Sequence, residues 1–232
     1  MSVGAINARL LSAAELVRQG AVFADIGTDH AYLPLFLLES GRIPRAVCAD
    51  INEGPLNSAR ANAREAGLSE RIEFVLTDGA AQLSDRGITD YAICGMGGEL
   101  IAAIIERAPH LRSSCVNLIL QPMSRQGVLR KFLASEGFEI KCESYSSDSG
   151  KHYVTLLANY TGNATEIDDV EAELGAKCAE YVNKNAQICY LKAKLAAFIK
   201  QRDGKIQGGD NAEKETLLAD KTAQLIASLE NR

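Results

Sequence analysis

The sequence predicts an α/β protein: an open, mostly parallel sheet covered by helices on both faces, followed by a C-terminal helical hairpin. Three observations predict it. Short apolar runs alternate with helix-length segments or loops from VFADIG at 22–27 to NLILQP at 117–122, the rhythm of successive βαβ units. Those runs are continuously apolar, as in strands buried on both faces. All five prolines lie at or before Pro122, and Tyr160-Thr161-Gly162-Asn163 then breaks the chain ahead of a segment with helical periodicity.

Taken in order, residues 1–20 read as an amphipathic helix whose apolar positions are interrupted by Arg9, Glu15 and Arg18. Such a segment has neither the apolar run of a signal peptide nor the length of a membrane span. VFADIG, AVCADI, IEFVLTDG, YAICGMGG and NLILQP are the five expected parallel strands. EIKCESY and HYVTLLANY, around the polar loop SSDSGK, read as a hairpin forming an antiparallel sheet edge. Beyond Asn163, Ile167, Val170, Leu174, Cys178, Tyr181, Ile188, Leu191, Leu195 and Phe198 recur mainly at three- and four-residue steps. They predict one amphipathic helix of about 36 residues, roughly 54 Å long. Gly204, Gly208 and Gly209 mark a turn, and Leu218, Thr222, Leu225 and Leu229 a second helix. The expected division is 1–162 for the α/β domain and 163–232 for an antiparallel helical hairpin.

Hydrophobic residues at 47% and charged residues at 24% exclude a disordered chain or a membrane protein. The formal net charge of −5 excludes general electrostatic capture of nucleic acid, so any RNA binding must use a local patch. Six cysteines lie scattered, without zinc-like spacing to the three histidines. They are expected to be reduced and mostly buried, with no metal site, in a cytoplasmic protein.

Acids and glycines collect at the strand ends, where open α/β sheets bind ligands. Asp25-Ile26-Gly27-Thr28-Asp29-His30 ends the first strand without the GxGxxG of a dinucleotide site. Its carboxylates would repel a phosphate but suit the sulfonium and ammonium groups of S-adenosylmethionine; a tight strand-to-helix turn is the plainer reading. Asp50 ends the second strand about 25 residues later, where a carboxylate can accept from both ribose hydroxyls, with Asn52 close by. A helix cap ahead of Pro55 would use the same residues. Asp78-Gly79 ends the third strand and suits an adenine amino group, or simply a turn. Gly95-Met96-Gly97-Gly98 ends the fourth, exposing backbone beside an apolar side chain, as a methyl-transfer site or a loop leading into a helix requires. Gln121-Pro122 after the fifth offers an amide to a base edge or serves as a plain loop. His110 is expected on the surface, and His152 either borders the site or has a purely structural role. Lys184, Lys192, Lys194, Lys200, Arg202 and Lys205 meet only Asp203 as an opposing charge in their interval, giving either a solvated face or a basic tip for RNA phosphates.

The ordered series ADIGTDHAYLP, ADIN, DGA, ICGMGG, LILQP and GKHYV resembles the TrmK family of bacterial tRNA adenine N1-methyltransferases over approximately residues 9–159. The resemblance implies a Rossmann-like class I methyltransferase domain with a C-terminal coiled-coil-like hairpin. It further implies methyl transfer from S-adenosylmethionine to N1 of adenine 22 in the tRNA D-arm. Where the family pattern has asparagine after Gln-Pro, this sequence has Met123.

The expected cofactor contacts are Asp25, Gly27, Thr28, Asp29, His30, Asp50, Asn52, Asp78, Gly79 and Gly95. Asp29, His30, Gly95, Met96, Gly97 and Gly98 are the expected transfer site. Arg9, Tyr32, Gln121, Pro122, Lys184, Lys192, Lys194 and Lys200 are the expected contacts to tRNA. The same strand-end acids would serve a methyltransferase acting on another RNA atom or a small molecule, or a noncatalytic S-adenosylmethionine-binding RNA module.

Overall fold

The computed structural model describes residues 6–175 and 180–231. Asn7 caps α1 (Ala8–Ala14) by accepting from the Leu10 N–H, so the first helix begins at a residue suited to that bond. There follow β1 (Val22–Ile26), α2 (Tyr32–Glu39), β2 (Arg45–Asp50), α3 (Glu53–Glu65), β3 (Ile72–Leu76), β4 (Asp90–Gly97), α4 (Gly98–Glu106), β5 (Asn117–Ser124) and α5 (Gln126–Ser135). The chain then forms β6 (Phe138–Asp148), β7 (Lys151–Tyr160), α6 (Asp169–Leu174), β8 (Glu180–Val182), α7 (Lys184–Gly208) and α8 (Glu213–Glu230).

The eight strands make one sheet in the order β3-β2-β1-β4-β5-β7-β6-β8. Neighbours from β3 to β5 run parallel, whereas β7 is antiparallel to β5 and to β6. The order reverses on either side of β1, which has β2 on one flank and β4 on the other. A crevice opens at the carboxyl ends of strands at such a switch point. The β6–β7 hairpin forms as the sequence predicts, but β8 pairs parallel to β6 and becomes the edge in its place.

Both faces are covered. Phe23, Leu35, Leu37, Cys48, Ala59 and Ile119 centre one buried cluster. Ile26, Val47, Tyr91, Ile101, Leu133 and Leu156 belong to the other, which continues without a break into Tyr190, Leu191 and Phe198 of α7 and Leu218 and Ile226 of α8. The C-terminal helices therefore share the core of the sheet.

The single 36-residue helix expected after Asn163 is corrected to α6, β8 and α7. Asp168 caps α6 by accepting from the Glu171 N–H, and Gly175 ends it at φ 118°, outside helical backbone. A Cβ at Gly175 would lie 2.6 Å from a Glu143 carboxylate oxygen, so the break is packed against β6. Asn183, left-handed at φ 67°, restarts the helix by accepting from the Ala186 N–H. Periodicity missed the interruption because apolar residues facing one sheet keep similar spacing on either side of it. Cys178 lies outside the described residues. The expected turn also narrows: Gly204 is inside α7, Gly208 ends it and Gly209 caps it. Among the described residues, no helix is long and apolar enough to cross a membrane.

Candidate active site

Parallel register brings the strand ends to one edge, with Ile26 opposite Ala49 and Ile93, and Asp50 opposite Leu76. At the switch point lies a cleft of about 370 Å³, lined by Asn7, Arg9, Leu10, Asp25, Gly27, Asp29, Tyr32, Leu33, Cys94 and Gly95. It joins α1 to the loops after β1 and within β4. Nothing local in the sequence marks Asn7 or Leu10 as lining residues, since the docking of α1 places them there, while Leu33 at the start of α2 and Cys94 on β4 join them beside residues the motifs do mark.

Asp25 is buried and accepts a 2.7 Å hydrogen bond from the Thr28 hydroxyl. Burial pushes its carboxyl up to about 6, with Asp50 and Asp29 adding to the rise and the Thr28 bond and Arg9 opposing it. A carboxyl raised in the folded state contributes stability that is complete below its ordinary value of 3.8 and is lost as pH rises through about 6. The ligand-free protein should therefore lose on the order of 2–3 kcal/mol from this group between pH 4 and pH 7. Asp25→Asn should remove that slope and leave the variant the more stable at pH 7. Denaturant titrations across the window check this, and parallel profiles for the two proteins would refute it.

Two consecutive non-glycine residues after Asp29, His30 at φ 62° and Ala31 at φ 57°, adopt left-handed backbone immediately before α2. Such backbone is uncommon and concentrates at functional sites. The Asn62 side chain donates to the His30 carbonyl at 2.9 Å and holds the turn. As a result the His30 and Tyr32 rings stack 5.3 Å apart at the rim, and His30 Nε2 lies 3.2 Å from Asp29 Oδ1.

β4 carries an irregularity between Cys94 and Met96 against β5, with Gly95 at φ 82° as the extra residue opening on the cleft. Bulges of this kind re-aim the chain beside active sites. The Met96 side chain reaches across to the β1 loop: a Cβ at Gly27 would sit 2.1 Å from its methyl carbon. Gly97 is the N-cap of α4. Gly98 is corrected from a transfer-site residue to a packing residue, because it is buried directly beneath the Arg125 carbonyl.

Asp50 Oδ1 accepts from the Asn52 N–H at 2.7 Å, fixing the carboxylate at the end of β2, while Asn52 is the N-cap of α3 without a side-chain capping bond. Asp78 is held by Arg107, the C-cap of α4, at 2.7 and 3.2 Å, a partner 29 residues away that no local pattern signals. Gly79 packs against Ile104. Asp50, Asn52, Asp78 and Gly79 flank the 370 Å³ cleft rather than line it.

Several expected contacts are corrected. Thr28 is fully buried and its hydroxyl is spent on Asp25, so it supports the site from beneath. Gln121 is also fully buried, and its amide bonds Arg9 and Thr155 instead of reaching a base. Pro122 is buried as well, at the wall of a second groove of about 770 Å³ between the β5–α5 junction, the β6–β7 turn and α7. Lys194 is largely buried with Glu173 of α6 at 2.6 Å, and burial pulls its ammonium below the ordinary lysine range. Lys192 pairs with Glu230 and Lys205 with Glu215, both acids of α8. The supposed basic tip is thus largely neutralised by acids from outside its own interval, while Lys184 and Lys200 are exposed. His152 bonds Ser147 at 2.7 Å and lines the second groove. His110, expected on the surface, is half-buried against Tyr91. The thiols divide: Cys48 and Cys142 are buried, Cys94 partly so, and Cys115 and Cys189 exposed. Among the described residues, no group of three or more His, Cys, Asp or Glu side chains is arranged to hold a metal.

Residues 6–156 match the model of a methyltransferase domain family. A tRNA (adenine(22)-N(1))-methyltransferase of Bacillus subtilis is 30% identical over 187 residues, covering 81% of this chain and 79% of its own. M. capricolum TrmK, solved with S-adenosyl-homocysteine, superposes with a TM-score of 0.77 at 27% identity, covering 97% of this chain and 99% of its own. Sp1610 of Streptococcus pneumoniae, solved with S-adenosyl-L-methionine, gives a TM-score of 0.78 at 31% identity over 97% of this chain and 99% of its own. With acids at successive strand ends, a bulged glycine strand beside them and agreement along almost the whole chain, this protein belongs to the TrmK family of methyltransferases.

Proposed function

We infer that this protein transfers a methyl group from S-adenosylmethionine to N1 of adenine 22 in tRNA. The observation that carries the reading is the convergence of Asp25, Asp50 and Asp78 at one sheet edge, beside the Gly95 bulge and in a chain 30% identical to the Bacillus subtilis enzyme of that activity. When bound, S-adenosylmethionine supplies an electrophilic methyl group on a sulfonium. The residues present fit it: acids for its cationic groups, and two positive-φ glycines, Gly27 and Gly95, that line the cleft with backbone.

In this reading Asp25 faces the ammonium group, Asp50 the ribose hydroxyls and Asp78 the adenine amino group. Gly95 and Met96 shape the transfer site, and the exposed His30–Tyr32 stack beside Asp29 borders the acceptor. Neutral adenine already carries the N1 lone pair, so bond formation needs no general base, and proximity and orientation supply most of the acceleration. N1 lies on the Watson–Crick edge, so a paired target must be unpaired and extruded before it can react. The helical unit 163–232 serves as the tRNA-binding part, with the exposed Lys184 and Lys200 toward phosphates. The setting is the bacterial cytoplasm, where tRNA is modified.

Incubation with labelled donor and unmodified tRNA, followed by nucleoside mapping, tests the reading. N1-methyladenosine at position 22 is the expected product. Label on another RNA atom, on a free metabolite, or on nothing despite binding of both ligands would overturn it.

A further inference from the structure

The donor cleft has an unbalanced lining. Two of its residues are acids, Asp25 and Asp29, and among the described residues Arg9 is its single cation. The amino-acid end of S-adenosylmethionine is a zwitterion, and an acid-lined cleft would repel its carboxylate unless a cation stood opposite the acids.

Arg9 is held for that task by one buried side chain. Its Nη1 donates to Gln121 Oε1 at 2.8 Å, while Gln121 Nε2 donates back to the Arg9 carbonyl at 2.9 Å and to Thr155 Oγ1 at 2.7 Å. Ser12 closes the network, donating to the Arg9 carbonyl at 2.9 Å and lying 3.0 Å from the Thr155 hydroxyl. One amide thereby grips both the backbone and the guanidinium of Arg9, fixing its direction. The guanidinium is aimed at the β4 bulge, with Nη1 3.8 Å from where a Cβ on Gly95 would stand. A guanidinium has five N–H donors, so the bond to Gln121 leaves most of them for a ligand. Because the anchor is a neutral amide, it orients the cation without cancelling its charge, which a glutamate at 121 would do.

Resting on the methyltransferase reading above, we propose that Arg9 binds the carboxylate of S-adenosylmethionine and that Gln121 is the positioning residue that aims it. Arg9 is thereby moved from the acceptor side to the donor side of the site, and Gln121 acts without touching ligand.

The test compares S-adenosylmethionine with decarboxylated S-adenosylmethionine by titration calorimetry on the full chain. The unsubstituted protein should prefer the carboxylated donor by roughly 10- to 100-fold, the range of a charge-assisted hydrogen-bonded pair. Arg9→Met should bring that ratio close to one, leaving affinity for the decarboxylated donor within about threefold. Gln121→Met should lower the ratio in the same direction, and the two substitutions combined should do no more than Arg9→Met alone. Equal weakening of both donors, or an unchanged ratio in Arg9→Met, would overturn the assignment. Arg9 is only part-buried, so its variant carries the test even if Gln121→Met does not fold. Absence of binding of either donor to the unsubstituted protein would instead overturn the underlying methyltransferase reading.

Discussion

Arg130→Met should lower the free energy of unfolding by about 3–5 kcal/mol, since it strands a buried carboxylate without its countercharge. Arg130 and Glu143 are both fully buried, joined at 2.8 Å and 3.2 Å from Nε and Nη2. Arg130 Nη1 also donates to the Ala172 carbonyl at 2.9 Å, and the Tyr145 hydroxyl donates to Glu143. The network thus ties α5 and β6 to α6, the first of the C-terminal helices. Replacing both charges, as in Arg130→Met with Glu143→Met, should recover much of the loss, because a paired buried charge contributes little beyond an apolar pair of similar volume. Urea unfolding of the two single variants and the double variant checks this. A single-variant loss below about 1 kcal/mol, the scale of an exposed ion pair, would show that the junction does not depend on the network.

Gly98→Ala should reduce kcat on tRNA by at least about 10²-fold and weaken donor binding alongside it, the penalty for an ångström-scale misplacement of reacting groups. A Cβ there would stand 2.3 Å from the Arg125 carbonyl oxygen, 3.0 Å from its carbon and 3.2 Å from Leu129 Cβ. Backbone does not yield as the end of a flexible side chain does, so α4 must retreat from α5 and carry the Gly95–Gly97 segment with it. The accompanying stability loss should be about 1–3 kcal/mol, that of an overpacked core. Gly54→Ala makes the comparison, since a Cβ at that position meets nothing within 4 Å. Single-turnover rates for the two variants separate the cases, and undiminished kcat in Gly98→Ala would show that the transfer loop is insulated from the α4–α5 contact.

The strand-end cleft was legible in the sequence because its parts are local. A parallel strand buried on both faces leaves a continuous apolar run, and the acids and glycines that follow such runs fall at one edge by topology alone. Asp25, Gly27, Asp29 and Gly95 could therefore be assigned to one place before any contact was known, and they line one cleft. Thr28 and Gln121 belong to the same motifs but turn inward, and no spacing tells a side chain facing ligand from one that supports its neighbour.

The C-terminal region was harder to read for a related reason. Ile167 to Phe198 carry one apolar rhythm, yet Gly175 breaks the helix against Glu143, a residue of another strand. Lys192, Lys194 and Lys205 looked unopposed because their carboxylates come from α6 and α8.

By itself the sequence determined the order and type of the first seven strands, the edge at which their functional residues gather and the chemistry those residues suit. These follow from periodicity and from groups adjacent in the chain. Only the tertiary structure decided which of them are reachable, that α1 brings Arg9 to the cleft, and that the C-terminal helices share the core of the sheet. Each of those facts is a contact between residues far apart in the chain, fixed by packing and by the pairing of buried polar groups.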